Sequence, residues 1–339
     1  MSEKPERVLV TGGAGFIGSH VADRFLEAGC EVTVLDDLST GKRENVPAAA
    51  HFVEMDLNDP DLADLFAESG FDLVDHHAAQ IDVRVSVADP VRDARSNILG
   101  LLNLLECALA SRVRRVVYIS SGGVLYGEAE RLPIPEASPL EPLSPYGVAK
   151  LAGELYLHYY AVVRGLAYGA LRYGNVYGPR QSPHGEAGVV AIFGSRILAG
   201  EPITIFGDGE QERDYVYIAD VVEANWLAAT RPLPSPDGLE SRGWNIGTGQ
   251  GTSVNVLADR IMAIAGREVE RRPAAERPGE LRRSVLDPSR AAAALGWRPA
   301  HSLDQGLRKT IAWIDGERQA APAAPAGPAS AAPATPAAR

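Results

Sequence analysis

The chain has 339 residues, 45% hydrophobic and 23% charged, an ordinary balance for a globular protein with enough length for a sizeable core. Its 44 acids and 33 bases give a net charge of −11, which argues against a broad nucleic-acid footprint but leaves room for an anionic small ligand held by a few placed arginines. Two cysteines, Cys30 and Cys107, make no disulfide framework, and neither a signal peptide nor an apolar run of membrane length is visible. A cytoplasmic protein without membrane or nucleic-acid partners is expected.

In chain order, Arg7–Thr11 predicts a strand, Gly15–Ala28 a helix and Glu31–Asp36 a second strand. His51–Met55 and Phe71–His76 follow as strands with a helix between them. Asp89–Arg112 predicts one long helix, Arg115–Ser120 a strand, Ser144–Arg164 a helix and Leu166–Arg172 a strand. This alternation implies an α/β fold, a doubly wound parallel sheet covered on both faces. After Tyr173 the rhythm breaks: Gly and Pro become frequent and the elements shorten, as in a smaller domain. The two domains are expected to interleave, because Tyr215–Thr230 looks like a return to the first. The expected division is 1–173 with about 215–247 against about 174–214 with 248–316. Residues 317–339 are almost entirely Ala and Pro, lack periodic apolar positions, and predict a disordered tail.

The strongest local signal is VLVTGGAGFIGS, where Gly12, Gly15 and Gly18 lie between a strand and a helix. A side chain there would block the turn or keep the backbone from a pyrophosphate, whose charge sits against the helix N-terminus. Asp36 ends the next strand. A carboxylate there accepts both ribose hydroxyls and repels a 2′-phosphate, which favours NAD over NADP; Asp37 and Leu38 follow with no basic residue. Asp56 either holds the adenine amino group or serves as a turn residue. This is a Rossmann-type nucleotide site.

Tyr146 and Lys150 stand four apart in SPYGVAKLAGE, on one face of the expected helix. An isolated phenol, with a pKa of about 10, is a poor base at neutral pH. A nearby ammonium and a positive nicotinamide favour the phenolate, so the pair could draw a proton from a sugar hydroxyl.

With these motifs the chain resembles the extended branch of the short-chain dehydrogenase/reductase family. VRVSVADP, SSGGVLYG, LRYGNVYGPRQ, EAGVVAIF, IFGDGEQERDYVY and RPGELRRSVLD extend the likeness to UDP-glucose 4-epimerases, over nearly all of residues 7–315. The resemblance implies NAD, two interleaved domains and a homodimer packed through helices 89–112 and 144–164. It implies that Phe16, Ile17, Leu57, Ala78, Ala79, Gln80, Asn97, Ser120, Tyr173 and Val176 join the cofactor site. Arg213 and Arg277 match diphosphate-binding positions, Glu280 an acid on the nucleotide ribose, and Asn175 an asparagine on the phosphate or sugar. Val189, Phe206 and Ser284 would line the sugar-nucleotide pocket, Ser284 walling the sugar. Arg84 either reaches a phosphate or uronate or lies on a solvated face.

One position departs from that pattern. The family usually places Ser or Thr where this chain has Gly122, and the nearest hydroxyl is Ser121. Ser121 either partners Tyr146 or only ends the strand and touches the cofactor. The Asp-Glu pair of related 4,6-dehydratases is replaced by Gly123 and Val124, which leaves no proton carrier for elimination. The resemblance therefore implies 4-epimerisation of a UDP-hexose, glucose/galactose or the N-acetylated pair, through a transient 4-keto sugar. A UDP-uronic acid or UDP-pentose epimerase and a non-catalytic NAD- or sugar-nucleotide-binding protein stand as alternatives. His76 and His77 are adjacent at a strand end and face opposite sides, poor geometry for one metal, so no metal is expected.

Overall fold

The computed structural model describes residues 4–183, 188–277 and 281–320. The strands are β1 (Arg7–Thr11), β2 (Glu31–Asp36), β3 (His51–Glu54), β4 (Leu73–His76), β5 (Arg115–Ser121), β6 (Ala167–Tyr173) and β7 (Asn175–Tyr177). They continue with β8 (Ile203–Phe206), β9 (Glu212–Tyr217), β10 (Gly243–Ile246), β11 (Gly251–Ser253), β12 (Arg271–Ala274) and β13 (Arg283–Ser284). The helices begin with α1 (Phe16–Glu27), α2 (Leu62–Ser69), α3 (Val83–Ala88), α4 (Pro90–Ala94), α5 (Gly100–Ala110), α6 (Gly122–Leu125) and α7 (Pro145–Arg164). After them come α8 (Val189–Ala199), α9 (Ile218–Thr230), α10 (Val254–Ala265), α11 (Ser289–Leu295) and α12 (Leu303–Ala320).

Seven strands form one sheet in the order β3-β2-β1-β4-β5-β6-β10, every neighbouring pair parallel. The apolar runs that predicted these strands are buried on both faces, as a parallel sheet flanked by helices requires. Val8, Val10, Phe25, Ala224 and Trp244 pack on one side, with α1 and α9; Leu9, Phe66, Leu104 and Leu157 pack on the other, with α2, α5 and α7. Chain order reverses between β1 and β4, the switch point at whose carboxyl end such sheets bind ligands.

A smaller sheet joins β11, β9, β13 and β7, and β8 pairs with β12. α8, α10 and α12 cover them through Phe193, Leu257, Ile261, Leu307 and Ile311. The expected return at Tyr215 is corrected here. Tyr215–Tyr217 pair in register with Asn175–Tyr177 inside the small sheet, and the chain rejoins the large sheet only at Ile218, where α9 packs on α1. The expected long helix is one rod interrupted by a wide π turn, Arg95–Leu99, between α4 and α5. The expected tail also starts later. Glu317–Ala320 are helical, because Ile311 and Ile314 anchor α12 and Arg318 donates to the Leu198 carbonyl. The remainder of that tail lies outside the described residues.

Behind α7 lies a buried ion pair. Arg172 of β6 donates from Nη2 to Glu154 Oε2 at 2.6 Å, with both side chains 1% exposed. Ser120 Oγ donates to Glu154 Oε1 at 2.5 Å, and Arg172 Nη1 donates to the Tyr126 hydroxyl at 2.8 Å. Removing one member of such a pair strands the other charge. Arg172→Met should therefore lower unfolding free energy by about 3–5 kcal/mol, measured by urea denaturation, and Arg172→Met/Glu154→Leu should lower it less.

Candidate active site

β1 ends where the glycine turn begins. Gly12 has φ +67°, and a Cβ there would lie 2.5 Å from the Ala78 nitrogen. A Cβ on Gly18 would lie 2.4 Å from the Gly12 carbonyl oxygen, so the first turn of α1 rests directly on the loop. Gly15 caps α1 without a side-chain hydrogen bond, which leaves the helix N-terminal amides facing the crevice. Phe16 and Ile17 are half-buried on that turn. This cradle, which a Cβ would fill, suits a dinucleotide pyrophosphate.

Asp36 is 6% exposed and accepts from the Ala14 and Leu38 amides, each at 2.9 Å. Burial raises its carboxyl above the usual range, against those two hydrogen bonds. Asp37 is exposed and accepts from the Ser39 amide and hydroxyl, and Leu38 takes a positive φ of 56° to make the turn. Asp56 is exposed and accepts from the Asn58 amide at 2.7 Å; Leu57 is buried beside it. Ala78, Ala79 and Gln80 run from β4 past Gly12, and the Ala78 amide donates to Thr11 Oγ1 at 3.2 Å. Asn97, in the π turn, grips Gln80 twice: its Oδ1 accepts from the Gln80 amide and its Nδ2 donates to the Gln80 carbonyl, both at 2.9 Å. Tyr173 is buried with its hydroxyl accepting from Asn225 at 2.6 Å, and Val176 is half-buried in β7.

Tyr146 and Lys150 share a face of α7, whose N-cap Ser144 accepts from the Gly147 amide. Lys150 Nζ donates to the Ile119 carbonyl at 2.9 Å and lies 5.1 Å from the Tyr118 ring centroid and 5.7 Å from that of Tyr146. Burial pulls its ammonium down to about 8, against the opposing carboxylates of Asp93 and Glu154. Burial, then the charge of Asp93, pushes the Tyr146 phenol well above its usual range. Ser120 is spent on Glu154, while Ser121 is half-buried where β5 enters α6. Gly122 has a direct steric reason: a Cβ there would lie 2.5 Å from Leu286 Cδ1, and Leu286 is fully buried.

Opposite, in the small sheet, Arg213 registers with Ser284, which is 3% exposed; the Arg213 guanidinium also donates to the Glu212 carbonyl. Arg277 stacks over Phe206, 4.0 Å from the ring centroid. Phe206, Gln211, Glu276, Leu281 and Arg282 line a cavity of about 180 Å³. Arg282 closes its rim with two bonds to Asp208, at 2.8 and 3.0 Å, a pair that no motif signalled. Asn175 is exposed at the start of β7, and Val189 begins α8. Arg84 folds back on Asp82, the cap of its own helix, at 3.0 Å. Glu280 lies outside the described residues. His76 bonds Thr11 Oγ1 at 2.7 Å and burial holds it well below its usual pKa; His77 turns to Asp75 at 2.9 Å. Among the described residues no three His, Cys, Asp or Glu side chains gather as a metal set.

This combination of cradle, acid and Tyr-Lys helix defines a class. The chain belongs to the NAD dependent epimerase/dehydratase family, whose model matches residues 8–247. Among particular proteins it is 45% identical to the UDP-glucose 4-epimerase of Mycolicibacterium smegmatis, over 92% of this chain and 100% of that one. Two solved structures are similar in fold. The UDP-glucose 4-epimerase of Thermotoga maritima, with UDP-glucose, has TM-score 0.89 and 46% identity over 92% of this chain and 99% of that one. The Thermus thermophilus UDP-glucose 4-epimerase, in complex with NAD, has TM-score 0.85 and 47% identity over 91% and 99%.

The packing around Gly122 makes a test. Gly122→Ser must displace Leu286, so it should lower the melting temperature, by an equivalent of about 1–3 kcal/mol for overpacking. Gly122→Ser/Leu286→Ala should lose less than the two single losses summed, and strict additivity would place Leu286 elsewhere.

Proposed function

We propose that this chain is an isomerase that interconverts the C4 epimers of a UDP-hexose, with NAD held throughout and a 4-keto sugar as the transient. One observation carries the reading: Tyr146 and Lys150 stand a helical turn apart on α7, with Lys150 on the Ile119 carbonyl near the end of β5, and no acid or base stands at Gly123 and Val124 to divert the sugar into elimination. The UDP-glucose and NAD held by the similar structures support the same ligand pair.

The N-terminal amides of α1 would hold the pyrophosphate, and Asp36 the adenosine ribose, favouring NAD over NADP. Bound NAD supplies reversible hydride transfer at C4. Tyr146 takes the proton of the C4 hydroxyl and gives it back after the sugar has turned; Ser121 hydrogen-bonds the same oxygen. Lys150 keeps a positive charge beside the phenol while the pH stays below about 8. Arg213 and Arg277 take the diphosphate, Asn175 the phosphate or sugar, and Glu280 the nucleotide ribose. Val91, Leu99, Leu155, Tyr159, Val162 and Val163 are exposed on the rod and on α7, an apolar face suited to a second copy in a homodimer. The two free cysteines suit a reducing cytoplasm.

The test is to incubate the purified protein with a panel of UDP-sugars and follow C4 epimers by NMR. UDP-glucose should yield UDP-galactose with no added NAD. Tyr146→Phe should cut kcat by at least about 10²–10⁴, the worth of a general base, while NAD still co-purifies. No C4 epimer from any sugar, or an unaffected Tyr146→Phe, would defeat the proposal.

Ser284 bears on the C2 substituent. A serine side chain ends in one oxygen and leaves room for an acetamido group. UDP-N-acetylglucosamine should therefore turn over with kcat/KM within about a hundredfold of UDP-glucose, the scale of steric discrimination. Ser284→Tyr should depress the N-acetylated sugar selectively; equal slowing of both would remove Ser284 as the gate.

A further inference from the structure

Asp93 is a carboxylate 1% exposed, in α4, that none of the sequence motifs explains. Its Oδ1 accepts from Gln80 Nε2 at 2.9 Å and from Asn97 Nδ2 at 3.0 Å. Gln80 also reaches Asp82: its Oε1 accepts from the Asp82 amide at 2.6 Å and its Nε2 donates to the Asp82 carbonyl at 3.0 Å. One carboxylate thus locks the side chains that fix the loop leaving β4, and that loop stands against Gly12. The same carboxylate lines a groove with Ser144, Pro145 and Ala149, the neighbours of Tyr146 and Lys150 on α7.

An amide could accept the same two hydrogen bonds without burying a charge, which is expensive unless it is compensated. The groups facing Lys150 show what the charge meets. Glu154 approaches from α7, but Arg172 already neutralises it. Tyr118 approaches from β5, and burial keeps its phenol protonated. His76 approaches from β4, and burial keeps it neutral. Tyr146 faces Asp93, Lys150 and Tyr118. Among these groups of the described residues, Asp93 is the carboxylate not engaged by a guanidinium.

We infer that Asp93 is a positioning residue for the proposed epimerisation: it anchors Gln80 and Asn97 in the loop that stands against Gly12, and it sets one negative charge across the groove from the Tyr146 and Lys150 turn of α7. The inference rests on the reading of Tyr146 and Lys150 as the reacting pair.

Asp93→Asn retains the acceptor oxygen and removes the charge. In the NAD-loaded protein both limbs of the kcat/KM pH profile should move down by about one unit, the effect of one close charge. The acid limb moves because the phenolate loses a like-charged neighbour, and the alkaline limb because Lys150 loses its counter-charge. NAD retention and melting temperature should stay near wild type. Asp93→Ala, which also removes the anchor, should release NAD at least about tenfold faster, the scale set by one hydrogen bond to a charged group. Asp93→Glu, which restores the charge, should keep the wild-type limbs. An ultraviolet difference titration of the Tyr146 phenolate in the NAD-loaded protein, where the positive nicotinamide favours the phenolate, wild type minus Tyr146→Phe, needs no sugar. It should shift downward in Asp93→Asn even if every UDP-sugar is rejected, so the inference can be judged apart from the epimerase reading. An unmoved profile and titration in Asp93→Asn would overturn the inference, as would limbs that move equally in Asp93→Glu.

Discussion

Glu154 and Arg172 face each other in a space that excludes water, and that pairing sets the position of α7 on the sheet. A one-residue slide of the helix would leave two unpaired charges in a low-dielectric interior, so the register has little freedom. Lys150 and Tyr146 lie one and two turns earlier on the same face, and their placement follows from that register. The network continues outward: Tyr126 donates to Asn245 Oδ1 at 2.8 Å, and Glu136 accepts from the Asn245 amide at 2.9 Å. The helix, the sheet edge at β10 and the loop after α6 are held by one set of hydrogen bonds.

On the nucleotide side the restraint is steric rather than ionic. Gly12 and Gly18 let the β4 loop, the turn and α1 meet at distances no side chain tolerates. Asp36 serves the same geometry, since one of its oxygens accepts from the Ala14 amide and the other from the Leu38 amide. The nucleotide preference proposed for it and its part in the fold would rest on one carboxylate, so a change made to alter the one should disturb the other.

What was legible in the sequence was local. Gly12, Gly15, Gly18, Asp36, Tyr146 and Lys150 stand at fixed short spacings in the chain, and strands β1 and β2 begin and end where the apolar runs do. Asp93 was not legible, because its meaning depends on Gln80 across a turn and on α7 across a groove. The Asp208–Arg282 pair was hidden for the same reason, two exposed charges far apart in the chain. Tyr215–Tyr217 misled because an apolar strand running straight into a helix looks alike whichever sheet it joins. The end of α12 misled because composition dominated the reading of Glu317–Ala320, where Arg318 bonds a distant carbonyl.

The wide turn at Arg95–Leu99 has a consequence for helical phase. At about 100° per residue, Asp93 and Leu105 would sit roughly 120° apart around an unbroken α-helix. An extra residue taken up in one turn removes about 100° of that offset. The rod therefore turns Asp93 and Asn97 toward Gln80 while Leu101, Leu104 and Leu105 enter the core under the sheet. The wide turn thus absorbs one residue of chain while the turns before and after it keep a common phase. Losing any one residue between Arg95 and Leu99 would close the wide turn into a regular helix in which Asp93 and Leu105, then eleven positions apart, still sit about 20° apart, so the flanking turns would keep their faces.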